Sequence, residues 1–208
     1  MGITNLTAFL IASFLFIISP GIDTIFILNK SIAQGYKSGV YATLGITTGV
    51  LVHTTLAAFG LSLLLSQSAM AFSFVKFCGA AYLVYLGMVK LFSKESIVKE
   101  ISPTQHASPK KTYMSAVFTN VLNPKVAIFF LSFFPQFIQP AYISTATPFI
   151  FLGSIYAFIS LLWFMVLTFF AGSLSSRIRS NPAISTWLNK FSAIAFMLMG
   201  IRIAFTKR

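Results

Sequence analysis

Ile18-Ser19-Pro20-Gly21-Ile22-Asp23-Thr24 interrupts the first apolar run of the chain, and Leu122-Asn123-Pro124-Lys125, set 104 residues further on from proline to proline, interrupts the fourth. Each run is long enough to cross a bilayer. Proline there removes a backbone donor and bends the helix, which membrane helices tolerate where neighbouring groups satisfy the freed atoms. One break carries an acid, Asp23, and the other a base, Lys125. The spacing predicts two kinked spans facing one another across a small polar site.

Composition supports the membrane reading. Hydrophobic residues make up 57% of the 208, only 9% are charged, and mean hydropathy is +0.86, outside the mix of a soluble domain. The formal charge of +12 does not mark a nucleic-acid binder, because the basic residues are scattered through short loops and helix ends. The single cysteine, Cys78, has no partner for a disulfide or a Cys-Cys metal pair. No metal site and no cofactor are expected. Residues 4–28 lack a basic leader and a small-residue cleavage site, so they read as a retained span.

Apolar runs at 4–28, 39–65, 70–92, 113–138, 147–172 and 184–205 each reach the ~20 residues a spanning helix needs. The expected fold is therefore all-α, with six transmembrane helices. Residues 93–112 form the one long polar stretch, read as a cytoplasmic linker between a three-helix unit at 1–92 and another at 113–208. The loops after spans one, three and five hold Lys30, Lys37, Lys90, Lys94, Lys99, Lys110, Lys111, Arg177 and Arg179, whereas those after spans two and four hold no basic residue. The excess of positive charge puts the three basic loops in the cytoplasm and both termini outside. Arg202, Lys207 and Arg208 run against that orientation.

The halves match in order. Pro20 lies over Pro124 and Gly49 over Gly153 at one offset, and Leu86-Gly87 through Phe92 lies over Met199-Gly200 through Phe205 at an offset of 113. Three spans per half force the second copy to insert upside down, as an inverted repeat.

Asp23 is the one acid inside any span, where a charge costs roughly 2.5–3.5 kcal/mol on insertion scales. It either caps the second half-helix or binds a ligand. Lys125 stands at a helix start, where a cation gains nothing from the dipole. A salt bridge to Asp23 is the structural answer, and a substrate carboxylate the functional one. Asn120 and Asn123 add amides one turn apart. Facing breaks with free amides and carbonyls suit a zwitterion. Amides near Gly21 and Lys125 would take its carboxylate, and Asp23 with the carbonyls near Ile18 and Leu122 its ammonium. Pro20, Gly21, Asp23, Thr24, Asn120, Asn123, Pro124 and Lys125 are the candidate substrate-binding set.

Gly45, Gly49 and His53 share one face of span two. The glycines read as a packing seam, with Gly49 also a candidate cavity liner. His53 is a hydrogen-bonded core residue or, with Asp23, a proton relay. Tyr82 and Tyr85 are candidate cavity liners. Lys76 and Lys190 read as snorkelling side chains, and the 24 phenylalanines as lipid-facing.

Taken together, Ser19-Pro20-Gly21-Ile22-Asp23-Thr24, Gln34-Gly35 with Lys37 and Gly39, Gly45/Gly49/His53, Ala80-Ala81-Tyr82-Leu83 with Tyr85-Leu86-Gly87, and Asn120 with Asn123-Pro124-Lys125 resemble the LysE/RhtB family of amino-acid exporters. The resemblance runs from near the amino terminus to the last span. It implies a bacterial inner-membrane protein that exports amino acids or derivatives such as threonine, homoserine or homoserine lactone by proton exchange; the sequence leaves open whether the chain forms a homo-oligomer. The chain departs from the family's Pro-Gly-Pro at Ile22, which loosens the break. The family also accepts Asn at the position of Asp23, which points to a hydrogen-bond acceptor more than an obligatory proton carrier.

Two other classes compete. An intramembrane enzyme would use Asp23, His53 or a serine, but no Gly-x-Ser-x-Gly, paired acids or metal-spaced His-Glu set is present. A non-transport assembly subunit would need Asp23 and Lys125 only for abundance. For the topology, a reporter fused within 93–112 is expected to be protected from reagents outside intact cells, and labelling from outside would reverse the orientation.

Overall fold

The computed structural model describes residues 2–62, 69–92, 107–180 and 182–205. The first run folds as α1 (Leu6–Ile18) and α2 (Ile22–Gln34), bent by 52° at the Ser19-Pro20-Gly21 break. Gly35 follows with φ +82°, a left-handed turn that costs glycine little, and α3 (Tyr36–Leu56) starts at once and ends in a π-helical turn, Ala57–Leu61. α4 (Ala69–Phe92) completes the first half.

The second half opens with α5 (Pro109–Val121), four residues before the expected start of the second unit at 113. Its start follows from Ser108, whose hydroxyl accepts the Lys111 amide at 3.3 Å, with Pro109 at the first helical position. Residues 93–106 of the linker lie outside the described residues. α6 (Pro124–Ile128) follows α5 after a 47° bend, then widens into a π turn at Phe129–Phe133 and tightens to a 3-10 turn at Phe134–Phe137. Pro135 explains that ending, since its ring crowds the carbonyl four residues back and offers no N–H. α7 (Ala146–Ser180) and α8 (Pro182–Phe205) complete the chain.

Among the described residues, Tyr36–Leu61 and Ala146–Ser173 are long and apolar enough to cross a bilayer, and the two bent pairs raise that number to four. The third and sixth runs form α4 and α8, of 24 residues each. Lys76 and Lys90 in one, Lys190 and Arg202 in the other, dilute their apolar character. Large apolar side chains cover the outside, Phe59, Phe74, Phe158 and Phe169 among them. Water does not tolerate such a surface, and with the helix lengths it makes this a multi-pass membrane protein.

Small residues let the helices close. α3 lies between α5 and α7. A β-carbon on Gly45 would strike the Tyr113 carbonyl and Ala116, and one on Gly49 would come within 2.6 Å of the Asn120 side chain. The expected packing seam is thus the contact of α3 with α5. Thr43 bonds Thr168 at 3.0 Å and Thr48 bonds the Tyr113 hydroxyl at 2.9 Å, tying α3 to both neighbours. α4 packs chiefly on α8 through reciprocal glycines: Gly87 faces Ala193 and Met197, and Gly200 faces Ala80 and Val84. At the far end of α6, Ile3 pairs with Ile138 in an isolated antiparallel bridge flanked by Thr4 N–H to Phe137 O (2.8 Å) and Gln139 N–H to Gly2 O (2.7 Å).

The phenylalanines are not all lipid-facing. Phe9, Phe16, Phe129, Phe130, Phe133, Phe134 and Phe137 are buried together, three of them in the π turn and two in the 3-10 turn that follows. Ring centroids lie 4.1 Å apart for Phe16–Phe129 and 4.2 Å for Phe130–Phe134.

Gly45→Val is expected to force α3 away from α5 at a cost of about 1–3 kcal/mol, read as a lower thermal midpoint of the detergent-solubilised protein. Gly60→Ala, where a β-carbon meets nothing within 4 Å, serves as the control.

Candidate functional site

Both breaks meet at one place. Asn123 caps α6, its Oδ1 accepting the Lys125 amide at 3.0 Å with Pro124 next in line, so the Asn-Pro-Lys order sets the geometry of the second half-helix. Gly21 begins α2 with extended backbone and no side-chain cap. A β-carbon there would touch the Lys125 side chain at 3.4 Å, so the breaks are in direct contact.

Lys125 does not pair with Asp23. Its Nζ donates to the carbonyls of Phe16 (3.0 Å) and Ser19 (2.8 Å) and lies 4.6 Å from the Phe16 ring centre and 5.2 Å from that of Phe196. The lysine of one break thus bonds the carbonyls freed at the other. That is a task the sequence reading gave to a substrate ammonium, and the expected salt bridge is replaced by charge-assisted hydrogen bonds and ring faces.

Asp23 is 8% exposed, and it does not cap α2. Its Oδ2 accepts from Asn120 Nδ2 at 2.8 Å. Asn120 in turn offers its backbone carbonyl to His53 Nε2 at 3.1 Å, and His53 stacks on Phe130 at 5.6 Å. Donation to that carbonyl puts the proton of the neutral ring on Nε2. The path from His53 to Asp23 runs through an amide that cannot pass a proton onward, so Asn120 positions both groups and is no wire.

Around this point, Asp23 Oδ1, Asn120 Oδ1, Asn123 Nδ2 and Ser19 Oγ are buried without a hydrogen-bond partner. All four residues line one cavity with Gly21, Thr24 and Lys125. Leaving such atoms unpaired costs about 1–3 kcal/mol each. An amide oxygen beside a carboxylate suits an ammonium, and an amide donor beside a lysine suits a carboxylate. The cavity measures about 20 Å³, room for roughly one water, so the breaks are closed on each other.

Pro20 and Pro124 flank the junction. Together they line a second cavity of about 210 Å³, which also holds Tyr82. Tyr85 is 55% exposed and lies outside both cavities, its ring 6.1 Å from that of Tyr82. Gly49 serves by letting Asn120 approach. The sequence reading missed Tyr156, Ser160 and Phe164 of α7, which line the smaller cavity. Their spacing of four residues, with a hydroxyl at two of the three in an apolar run, was the available signal. It also missed Lys90, on the rim of the larger one.

Lys125→Met is expected to strand the Phe16 and Ser19 carbonyls and lose about 1.5–3 kcal/mol in thermal unfolding in detergent. Lys190→Met, at an exposed position, leaves the midpoint in place.

Residues 14–207 match the family model described as LysE type translocator. Among relatives, a homoserine/homoserine lactone efflux protein of Salmonella typhimurium is 34% identical over 95% of this chain and 94% of its own length. A leucine efflux protein of an Enterobacter species is 28% identical over 98% and 96%, and an uncharacterized membrane protein of Bacillus subtilis is 29% identical over 95% and 97%. No solved structure matches. The chain belongs to the LysE type translocator family.

Proposed function

We propose that this LysE type translocator is a secondary exporter of amino acids or close derivatives, moving them out across the bacterial inner membrane by alternating access in exchange for protons. The observation that carries the proposal is the junction of the two breaks, where an acid and a base are each held by groups other than one another and unpartnered donors and acceptors surround a small cavity. A zwitterion fits that division of charge. Its ammonium goes to Asp23 and Asn120 Oδ1, its carboxylate to Asn123 Nδ2 and Lys125. The full substrate-binding set is Pro20, Gly21, Asp23, Thr24, Asn120, Asn123, Pro124 and Lys125. Asp23 and His53, both held by Asn120, are the groups available to carry the exchanged proton. The named efflux activities of two relatives agree with an outward-moving amino compound.

Six spans in two inverted halves, 1–92 and 113–208, account for the packing. Gly87 over Ala193 and Met197 becomes, one offset of 113 along, Gly200 over Ala80 and Val84, the pattern a two-fold axis in the membrane plane produces. Gly21 and Lys125, equivalent at the other offset, touch, as residues on such an axis do. Helices α4 and α8, about 36 Å long at 1.5 Å per residue, are long enough to cross. Lys30 at the end of α2 and Lys111 at the start of α5 are near enough to repel, which supports one basic, cytoplasmic face, with the termini on the other side.

Cells loaded with amino acids as dipeptides should release at least one of them faster when they carry this chain. Asp23→Ala, Asn123→Ala and Lys125→Ala should each abolish that release while the protein is still found in the membrane. Normal efflux from all three variants would remove the site, and variants that lose only abundance would point to an assembly role.

A further inference from the structure

Three oxygens at the junction of the breaks, Asp23 Oδ1, Asn120 Oδ1 and Ser19 Oγ, are buried without a hydrogen-bond partner, on residues that are 8%, 0% and 2% exposed. All three residues line the smaller cavity, whose volume of about 20 Å³ admits one water-sized guest and no amino acid. We infer that this cavity is a sodium site, in which a bare Na⁺ binds between the three oxygens where a substrate ammonium would otherwise go. The site goes beyond the exporter reading and stands or falls separately from it.

Charge is the first argument. Asp23 lies in the interior of a bent span, where an uncompensated carboxylate is costly. Its Oδ2 accepts from a neutral amide, Asn120 Nδ2. Lys125, the base on the same cavity wall, donates instead to the carbonyls of Phe16 and Ser19. The Asn123 amide, unpartnered at Nδ2, brings a dipole and no charge. A small cation in the cavity supplies what the acid lacks.

The oxygen set is the second. Asn120 cannot turn its amide, since Nδ2 is committed to Asp23, so its Oδ1 stays an acceptor. The Ser19 hydroxyl offers two lone pairs, and Thr24 and Ser160, buried on the same wall, bring two more hydroxyls. Hard cations take oxygen ligands of this kind, and broken spans are where membrane proteins gather them. One carboxylate beside a lysine suits a single positive charge and cannot offset two. Among the described residues no group of three His, Cys, Asp or Glu side chains is placed to hold a metal ion, which sodium does not require. A bare sodium ion is smaller than a water molecule, whereas potassium matches water in size and needs longer bonds to the same oxygens. A water in that place would donate only two hydrogens and carry no charge.

The test is the thermal midpoint of the purified full chain in detergent, in sodium, potassium or choline chloride at equal ionic strength. Sodium should raise the midpoint by about 3–6 °C at ten times its dissociation constant, and potassium and choline should not. Asp23→Asn removes the charge at nearly constant shape and should abolish the rise. Ser19→Ala deletes a hydroxyl with no hydrogen bond to lose and keeps the backbone carbonyl that Lys125 holds. It should move the sodium concentration of half effect up roughly tenfold, the value of one ligand to a charge. Equal midpoints in the three salts for the unaltered protein would overturn the inference whether or not any variant folds, since water alone would then fill the cavity. So would an Asp23→Asn protein that keeps the full rise. Release of amino acids from dipeptide-loaded cells is a separate measurement. Release without a sodium response leaves the exporter and removes this site, whereas a sodium response lost in Asp23→Asn, without release, keeps the site and removes the exporter.

Discussion

Two backbone carbonyls, those of Phe16 and Ser19, must find a donor inside a layer that holds almost no water, and the Lys125 ammonium supplies it. Unsatisfied backbone groups cost several kcal/mol each in hydrocarbon, so a break in α1–α2 is tolerable only with something pressed against it. That something comes from the other half of the chain. The seams of α3 on α5 and of α4 on α8 keep the lysine in reach of the break.

The same contact decides what the site can do. Two opposite charges about 4 Å apart attract by roughly 4 kcal/mol at an effective dielectric constant near 20, and a direct Asp23–Lys125 pair would have to be broken before a substrate could use either. Carbonyls and ring faces hold the lysine instead, and Asn120 holds the acid. Each charge therefore keeps its field at short range. Asn120 does three jobs at once, since it packs on Gly49, donates to Asp23 and accepts from His53.

Both kinks were legible in the sequence because proline acts locally: it removes its own donor and bends its own helix, whatever surrounds it. A packing seam at Gly45 and Gly49 was legible for a similar reason, since only a residue without a side chain permits so close a crossing, but its partner α5 was not. What could not be read was direction. Nothing in Leu122-Asn123-Pro124-Lys125 tells whether the ammonium turns to an acid or to carbonyls, because those carbonyls belong to residues more than a hundred positions away. The phenylalanines misled for a related reason, as apolar residues satisfy lipid and core alike and the packing of distant helices decides which set turns inward. Lys90 looked like a loop charge because it stands three residues from the start of the polar stretch.

The bridge between Ile3 and Ile138 carries a consequence for biogenesis. Ile3 precedes its partner by 135 residues, so translation separates the two by roughly 7–27 s at 5–20 residues per second. Throughout that interval the leading helix has no fixed neighbour at this end. The clasp therefore closes only after both bent spans exist, which makes it a late contact and no part of the nucleus from which insertion begins.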